Sequence, residues 1–208
     1  MVRLSELDYD ALVEIFNIGV GRAAAAMSSI VGEEVVMSVP AISFESRVDA
    51  ARLLCVDQDT RICGIRQHYA GAFNTEAVLM FPEDRSLDIV RLMVGDAVSV
   101  QEHGEMEQEA MSEIGNIILN ACMGMLADIF ESELEGSLPS YHVGTSAEIL
   151  SAGSQSIQPQ ATVLMLRINF FIVKYRIEGY VAFLLDTDAL ADLHGHLGRY
   201  TAKYTDVK

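Results

Sequence analysis

The 208-residue sequence predicts an α+β fold built of two like halves. Three observations carry that reading: two long amphipathic helix patterns, strand-rich runs behind each, and identical residues recurring at a fixed offset. Shifting the first half by 99 residues lays Ala11, Glu14, Ile15, Asn17, Ile18, Ile30, Glu34 and Pro40 onto Ala110, Glu113, Ile114, Asn116, Ile117, Ile129, Glu133 and Pro139. An offset of 103 lays Ala77–Gly95 over Tyr180–Gly198, with Val78 on Val181, Leu87 on Leu190 and Gly95 on Gly198. No Pro-, Gly- or Ser-rich linker separates the halves. The expectation is therefore a single domain over 1–208, made of repeats 1–100 and 101–208, related by a pseudo-twofold with the long helices covering a shared sheet.

The first helix is expected over Glu6–Val31, with Ser5 as cap, Asp8 three residues later, and Leu4 and Tyr9 placed for a hydrophobic staple. Its apolar stripe is Leu12, Ile15, Phe16, Gly19, Ala23, Met27 and Ile30, with Asp10, Glu14, Asn17 and Gly21 nearly opposite. Strands follow at Val35–Phe44, Arg52–Val56, Ile62–Phe73 and Glu76–Phe81, then a helix at Asp84–Val94 after Pro82. The second half repeats this with a helix over Glu105–Phe130, strands at Tyr141–Leu150, Gln160–Val173 and Tyr175–Leu185, and a helix at Thr187–Gly198. Its long helix buries Met111, Ile114, Ile118, Cys122, Met125 and Ile129 and turns Glu109, Glu113, Asn116 and Asn120 outward.

Half the residues are apolar, enough for a sizeable core without disulfides, and Cys55, Cys63 and Cys122 sit in apolar surroundings that read as core in a reducing compartment. The N-terminus lacks the apolar core of a secretion signal, and the longest apolar stretch, Val163–Val173, is too short to span a bilayer. Together these predict a cytoplasmic protein. A net charge of −16 with no basic stripe argues against nucleic acid and anionic membranes as partners. Among His68, His103, His142, His194 and His196, only His194 and His196 are close in sequence, and two residues apart on a helix they do not share a face, so no metal site is expected.

Asn and Gly cost roughly 0.5–1 kcal/mol relative to Ala inside a helix, yet both halves carry them mid-helix. A lone Glu-x-x-Asn reads as an ordinary solvated helix face; its recurrence at matched spacing gives it weight. Small neighbours flank each pair: Gly21, Ala24 and Ala25 in the first helix, and Ala110, Gly124 and Ala127 in the second. They leave room for another protein to approach.

Asp10, Glu14, Asn17 and Pro40 have the spacing of Asp or Ser, three residues, Glu, two residues, Asn, twenty-two residues, Pro, within Glu14-Ile15-Phe16-Asn17-Ile18-Gly19-Val20-Gly21-Arg22. Glu113, Asn116 and Pro139 repeat it, with Glu109 in the first place. This pattern resembles the CheC, CheX and FliY phosphatases of bacterial chemotaxis, and the resemblance, duplication included, covers nearly the whole chain. It fits the two-motif CheC type better than the shorter CheX type, or than FliY with its added segments.

The resemblance implies a CheC-like fold with both motif helices exposed, and hydrolysis of the aspartyl phosphate of a CheY-like response regulator. Glu14 and Glu113 would dock on a regulator lysine, and Asn17 and Asn116 would hold the attacking water. Asp10, Gly21, Glu109 and Asn120 would border the partner, and Pro40 and Pro139 would shape the turn into the following strand. No cofactor is expected beyond Mg2+ in the regulator's own site. The alternative is a non-catalytic adaptor for the phosphorylated regulator or a CheD-type deamidase.

Overall fold

The computed structural model describes residues 4–54, 60–71, 74–94, 103–151, 162–172 and 175–205. Helix α1 (Glu6–Val31) starts at a capping box between Ser5 and Asp8 and stops at Gly32, whose φ of 73° is a left-handed conformation that glycine adopts without a Cβ penalty. Then come β1 (Val35–Ser46), α2 (Arg47–Leu54), β2 (Arg61–Gly71), β3 (Thr75–Pro82) and α3 (Glu83–Val94). The second half holds α4 (His103–Phe130), β4 (Leu134–Gly136), β5 (Ser140–Thr145), α5 (Ser146–Ser151), β6 (Thr162–Ile172), β7 (Tyr175–Leu185) and α6 (Thr187–Thr205).

The strands form one antiparallel sheet in the order β1-β6-β7-β3-β2-β4, with β5 also paired to β2. The order reads alike from both edges: β1 flanks β6 as β4 and β5 flank β2. Ala41 pairs with Arg167 and Ser140 with Arg66, while Met37 pairs with Phe170 and Gly136 with Tyr69. Gln67 and Tyr69 in β2 therefore occupy the places of Ile168 and Phe170 in β6. Arg66 pairs with Val78 and Arg167 with Tyr180, so Val78 corresponds to Tyr180 rather than to Val181. The offset of 103 read from the sequence is one residue too long here. In a strand one residue reverses the face, and Val78 and Val181 lie in opposite core layers.

One face of the sheet carries α1, α4, α3 and α6 over a core that includes Phe16, Met27, Ile65, Phe81, Ile118, Leu166 and Phe183. The other carries α2 and α5 over Val78, Met80, Met165, Ala182 and Leu184. Because β2, β3, β6 and β7 are covered on both sides, their sequences read as apolar runs rather than alternating ones. Windows in α1 and in Met106–Phe130 are long and apolar enough to cross a membrane, but 44% and 50% of them is buried against the protein. They are core helices, and Val163–Val173 falls largely in β6.

Two expected strand segments are helical. Arg52–Leu54 belongs to α2 and Ser146–Leu150 to α5. Each helix starts at a Ser or Thr bonded to an acid three residues on: Ser46 Oγ donates to Asp49 Oδ2 at 2.7 Å, and Thr145 Oγ1 to Glu148 Oε2 at 3.0 Å. The backbone N–H of Asp49 and of Glu148 returns a bond to the capping hydroxyl. Cys55, Val56, Ala72, Phe73, Gly95, Gln160, Ala161 and Val173, also placed by the sequence reading, lie outside the described residues. Ile30, expected in the core, is 49% exposed: it lies in the last turn of α1, beyond Met27, the last buried residue of that helix.

Candidate functional site

Glu14 and Glu113 are exposed, and Asn17 and Asn116 are half-buried one helical turn further along α1 and α4. Asp10, Gly21, Glu109 and Asn120 share the exposed faces. Ala24, read as part of the open surround, is buried in the core. A Cβ at Gly21 or Gly124 would meet nothing within 4 Å, so neither glycine is needed for packing. Gly19 and Gly115 are: added Cβ atoms there would lie 3.1 Å from the Ala121 carbonyl oxygen and 2.3 Å from Ile65 Cγ2.

The Asn-to-Pro spacing acquires a physical reason in the first half. Pro40 lies inside β1 rather than in a turn before a strand, and the pairing of β1 with β6 skips from Ser38 to Ala41. Proline lacks the N–H that a ladder needs, so Val39 and Pro40 bulge away from β6. Asn17 takes the place of the missing strand partner. Its Oδ1 accepts from the Val39 N–H at 2.9 Å, and its Nδ2 donates to the Val39 carbonyl at 3.2 Å and to the Val13 carbonyl at 3.0 Å. Both amide protons are thereby used, and one Oδ1 lone pair is left.

The second half is built differently. Residues 137–139 separate β4 from β5, so Pro139 directly precedes a strand, and Leu138, the counterpart of Val39, is 90% exposed. Asn116 does not bond Leu138. Its Oδ1 instead accepts from Gln67 Nε2 at 3.1 Å and from Asn120 Nδ2 at 2.7 Å. Its Nδ2 has no partner among the described residues, and Asn116 borders an open hollow of about 500 Å³ with Gln108, Glu109, Ser112, Glu113, Leu138 and Pro139. The sequence reading missed Gln67. Its signal was an amide closing the run Ile62–Gln67, which is buried throughout.

Gln67 Nε2 also donates to the Ser137 carbonyl at 2.9 Å, and the Tyr69 hydroxyl lies 2.9 Å from Gln67 Oε1 and 2.8 Å from Asn120 Oδ1. Burial pushes the Tyr69 hydroxyl above its ordinary pKa, so it stays a donor. Among the described residues no three His, Cys, Asp or Glu side chains cluster as metal ligands.

The chain is 26% identical over 156 residues to the CheY-P phosphatase CheC of Bacillus subtilis strain 168, an alignment spanning 72% of this chain and 73% of that one. It is a homologue of the CheC-type phosphatases. The flagellar motor switch phosphatase FliY of the same organism is 24% identical over 138 residues, which are 65% of this chain but 35% of FliY. Both CheC-type relatives are phosphatases by name. No family model matches the chain. The fold is shared with the crystal structure of Thermotoga maritima FliY, at a TM-score of 0.77 and 18% identity over 96% of this chain and 100% of that one. It is shared more loosely with CheX in a CheX–CheY–BeF3–Mg2+ complex from Borrelia burgdorferi, at a TM-score of 0.53 and 14% identity over 87% of this chain and 100% of that one. Asn116, its hollow and Glu113 thus stand on a scaffold of the CheC type.

Proposed function

We propose that this CheC homologue hydrolyses the aspartyl phosphate of a CheY-like response regulator, with the hollow at Asn116 as the main site. The observation that carries the reading is a half-buried carboxamide with a free Nδ2 at an open acidic hollow, one turn beyond the exposed carboxylate of Glu113. Glu113 docks on a lysine of the regulator and Glu109 borders the contact. With both Oδ1 lone pairs occupied, Asn116 acts as a donor. It gives an N–H to the attacking water and leaves that oxygen's other lone pair for in-line attack on phosphorus. The bond from phosphorus to the aspartate oxygen breaks, the carboxylate leaves with the electron pair, and the water's proton passes to the phosphate. Asn116 loses no proton, and the Mg2+ belongs to the regulator, which locates the reaction in the cytoplasm.

Glu14 is also exposed and docks in the same way, but Asn17 has a single Oδ1 lone pair for a water, so the first motif is the slower site. The same saturation of Asn17 favours a second reading, in which the chain is an adaptor that binds the phosphorylated regulator or a CheD-type deamidase without catalysis. Phosphate release from a phosphorylated CheY-type regulator decides between them. Phosphatase action requires faster release with the wild type and its loss in the Asn17→Ala, Asn116→Ala double variant; saturable binding with an unchanged rate establishes the adaptor.

A further inference from the structure

The hydrogen bonds around Asn116 form a chain whose polarity is fixed at one end. The Ser137 carbonyl can only accept, so the Gln67 atom 2.9 Å from it is Nε2, and the second proton on that nitrogen meets Asn116 Oδ1 at 3.1 Å. Asn116 Oδ1 also faces Asn120 Nδ2 at 2.7 Å, which turns Asn120 Oδ1 toward the Tyr69 hydroxyl at 2.8 Å. Reversing the Asn116 amide would set its Nδ2 against two other N–H groups. The amide is therefore held with its donors toward the hollow.

This apparatus has no counterpart in the other half. In the places of Gln67, Tyr69 and Asn120 stand Ile168, Phe170 and Gly21, none of which can bond a carboxamide. Gln67 and Tyr69 are each 1% exposed, so two polar side chains lie within an apolar layer where their counterparts are hydrocarbon. Burying polar groups is worthwhile only if they find partners: both Gln67 Nε2 protons go to Asn116 Oδ1 and the Ser137 carbonyl, and the single Tyr69 hydroxyl proton is shared between Gln67 Oε1 and Asn120 Oδ1. We infer that Gln67, Tyr69 and Asn120 are positioning residues that fix the direction of the Asn116 amide, making the second motif a donor site while the first remains a backbone latch.

The inference rests on the phosphatase reading for its kinetic consequence but not for its structural one, and the two are measured separately. In a Glu14→Ala background, which silences the first motif, phosphate release is compared for Gln67→Leu, Asn116→Ala and the pair. Gln67→Leu lowers kcat about three- to tenfold, the loss of one hydrogen bond, with KM unchanged. In the Asn116→Ala chain it has no further effect. Independently, the side-chain amide signal of Asn116 in a 15N–1H NMR spectrum, assigned by its absence from Asn116→Ala, shifts in Gln67→Leu and in the milder Tyr69→Phe, while that of Asn17 stays. A chain without phosphatase activity but with these shifts overturns the proposed function and leaves the positioning intact. An unmoved Asn116 signal in a folded Gln67→Leu or Tyr69→Phe protein overturns the positioning, as does a Gln67→Leu loss that adds in full to Asn116→Ala.

Discussion

Substituting the two motif asparagines by alanine should have opposite balances of effect on stability and on chemistry. Asn17→Ala removes three hydrogen bonds to backbone groups and leaves the N–H and carbonyl of Val39, a residue 2% exposed, facing a methyl group. Each stranded buried group costs about 1–3 kcal/mol, offset by about 0.5 kcal/mol of better helix propensity. The expected net loss is about 2–4 kcal/mol, or on the order of 5–10 °C in Tm for a chain of this size. Asn116→Ala removes two side-chain bonds, but Gln67 keeps the Ser137 carbonyl and Asn120 is exposed to water. The second Gln67 Nε2 proton is left without Asn116 Oδ1, one stranded group at about 1–3 kcal/mol against two in Asn17→Ala, so after the same gain in helix propensity the expected cost is about 1–2 kcal/mol. Urea unfolding of the two variants, compared by midpoint at equal slope, measures both values. Equal destabilisation by the two substitutions would refute the distinction between latch and open site.

Other outcomes follow from the same structure. Burial alone would raise the pKa of Asp8, but hydrogen bonds from Ser5 and Thr201 outweigh it and hold the carboxyl below its ordinary value. A depressed folded-state pKa gives stability that is present above the unfolded value and lost as pH falls through the folded one, so Thr201→Val should be less stable than wild type at pH 7, with a gap in urea midpoint that closes toward pH 3. A gap constant with pH excludes this. Gly115→Ala places a methyl group 2.3 Å from Ile65 Cγ2 and should cost about 1–3 kcal/mol, whereas Gly21→Ala meets nothing within 4 Å and should gain about 0.5–1 kcal/mol, both read by thermal unfolding. Burial pushes the thiols of Cys63 and Cys122 up to about 12, so a Cys55→Ser protein should not react with a thiol reagent at pH 8 until denaturant is added.

Much of the fold was legible because long periodic segments leave little choice. The expected range Glu6–Val31 matches α1, which is bounded by the Ser5 cap and Gly32, and Tyr175–Leu185 matches β7, which stops before Asp186. The short helices α2 and α5 were misread as strand because eight and six residues hold too few turns for a period of 3.6 to stand out. Their capping boxes were nevertheless visible, Ser46 with Asp49 and Thr145 with Glu148, at the same 99-residue offset as the motifs. The slip between Val78 and Val181 has a similar origin: chance identities outvoted register where both faces of a strand are apolar, and alternation gives no warning there.

At the candidate site the sequence placed the motif residues on their helix faces but revealed neither Gln67 nor the hydrogen-bond state of either asparagine. Glu14, Asn17 and Pro40 recur as Glu113, Asn116 and Pro139, and a motif comparison sees two copies of one device, the first the better match because Asp10 is Glu109 in the second. What separates them is supplied by β2 and β6, strands of the opposite halves, through Gln67 in one place and Ile168 in the other. A carboxamide has the same composition in both settings, but one is spent replacing a strand partner beside a proline and the other is held by neighbours that leave its donors unspent. The copy that fits the motif better is thus the one whose amide protons are both bonded to the backbone, because spacing along a chain records where a residue falls on a helix and not what the rest of the sheet places against it.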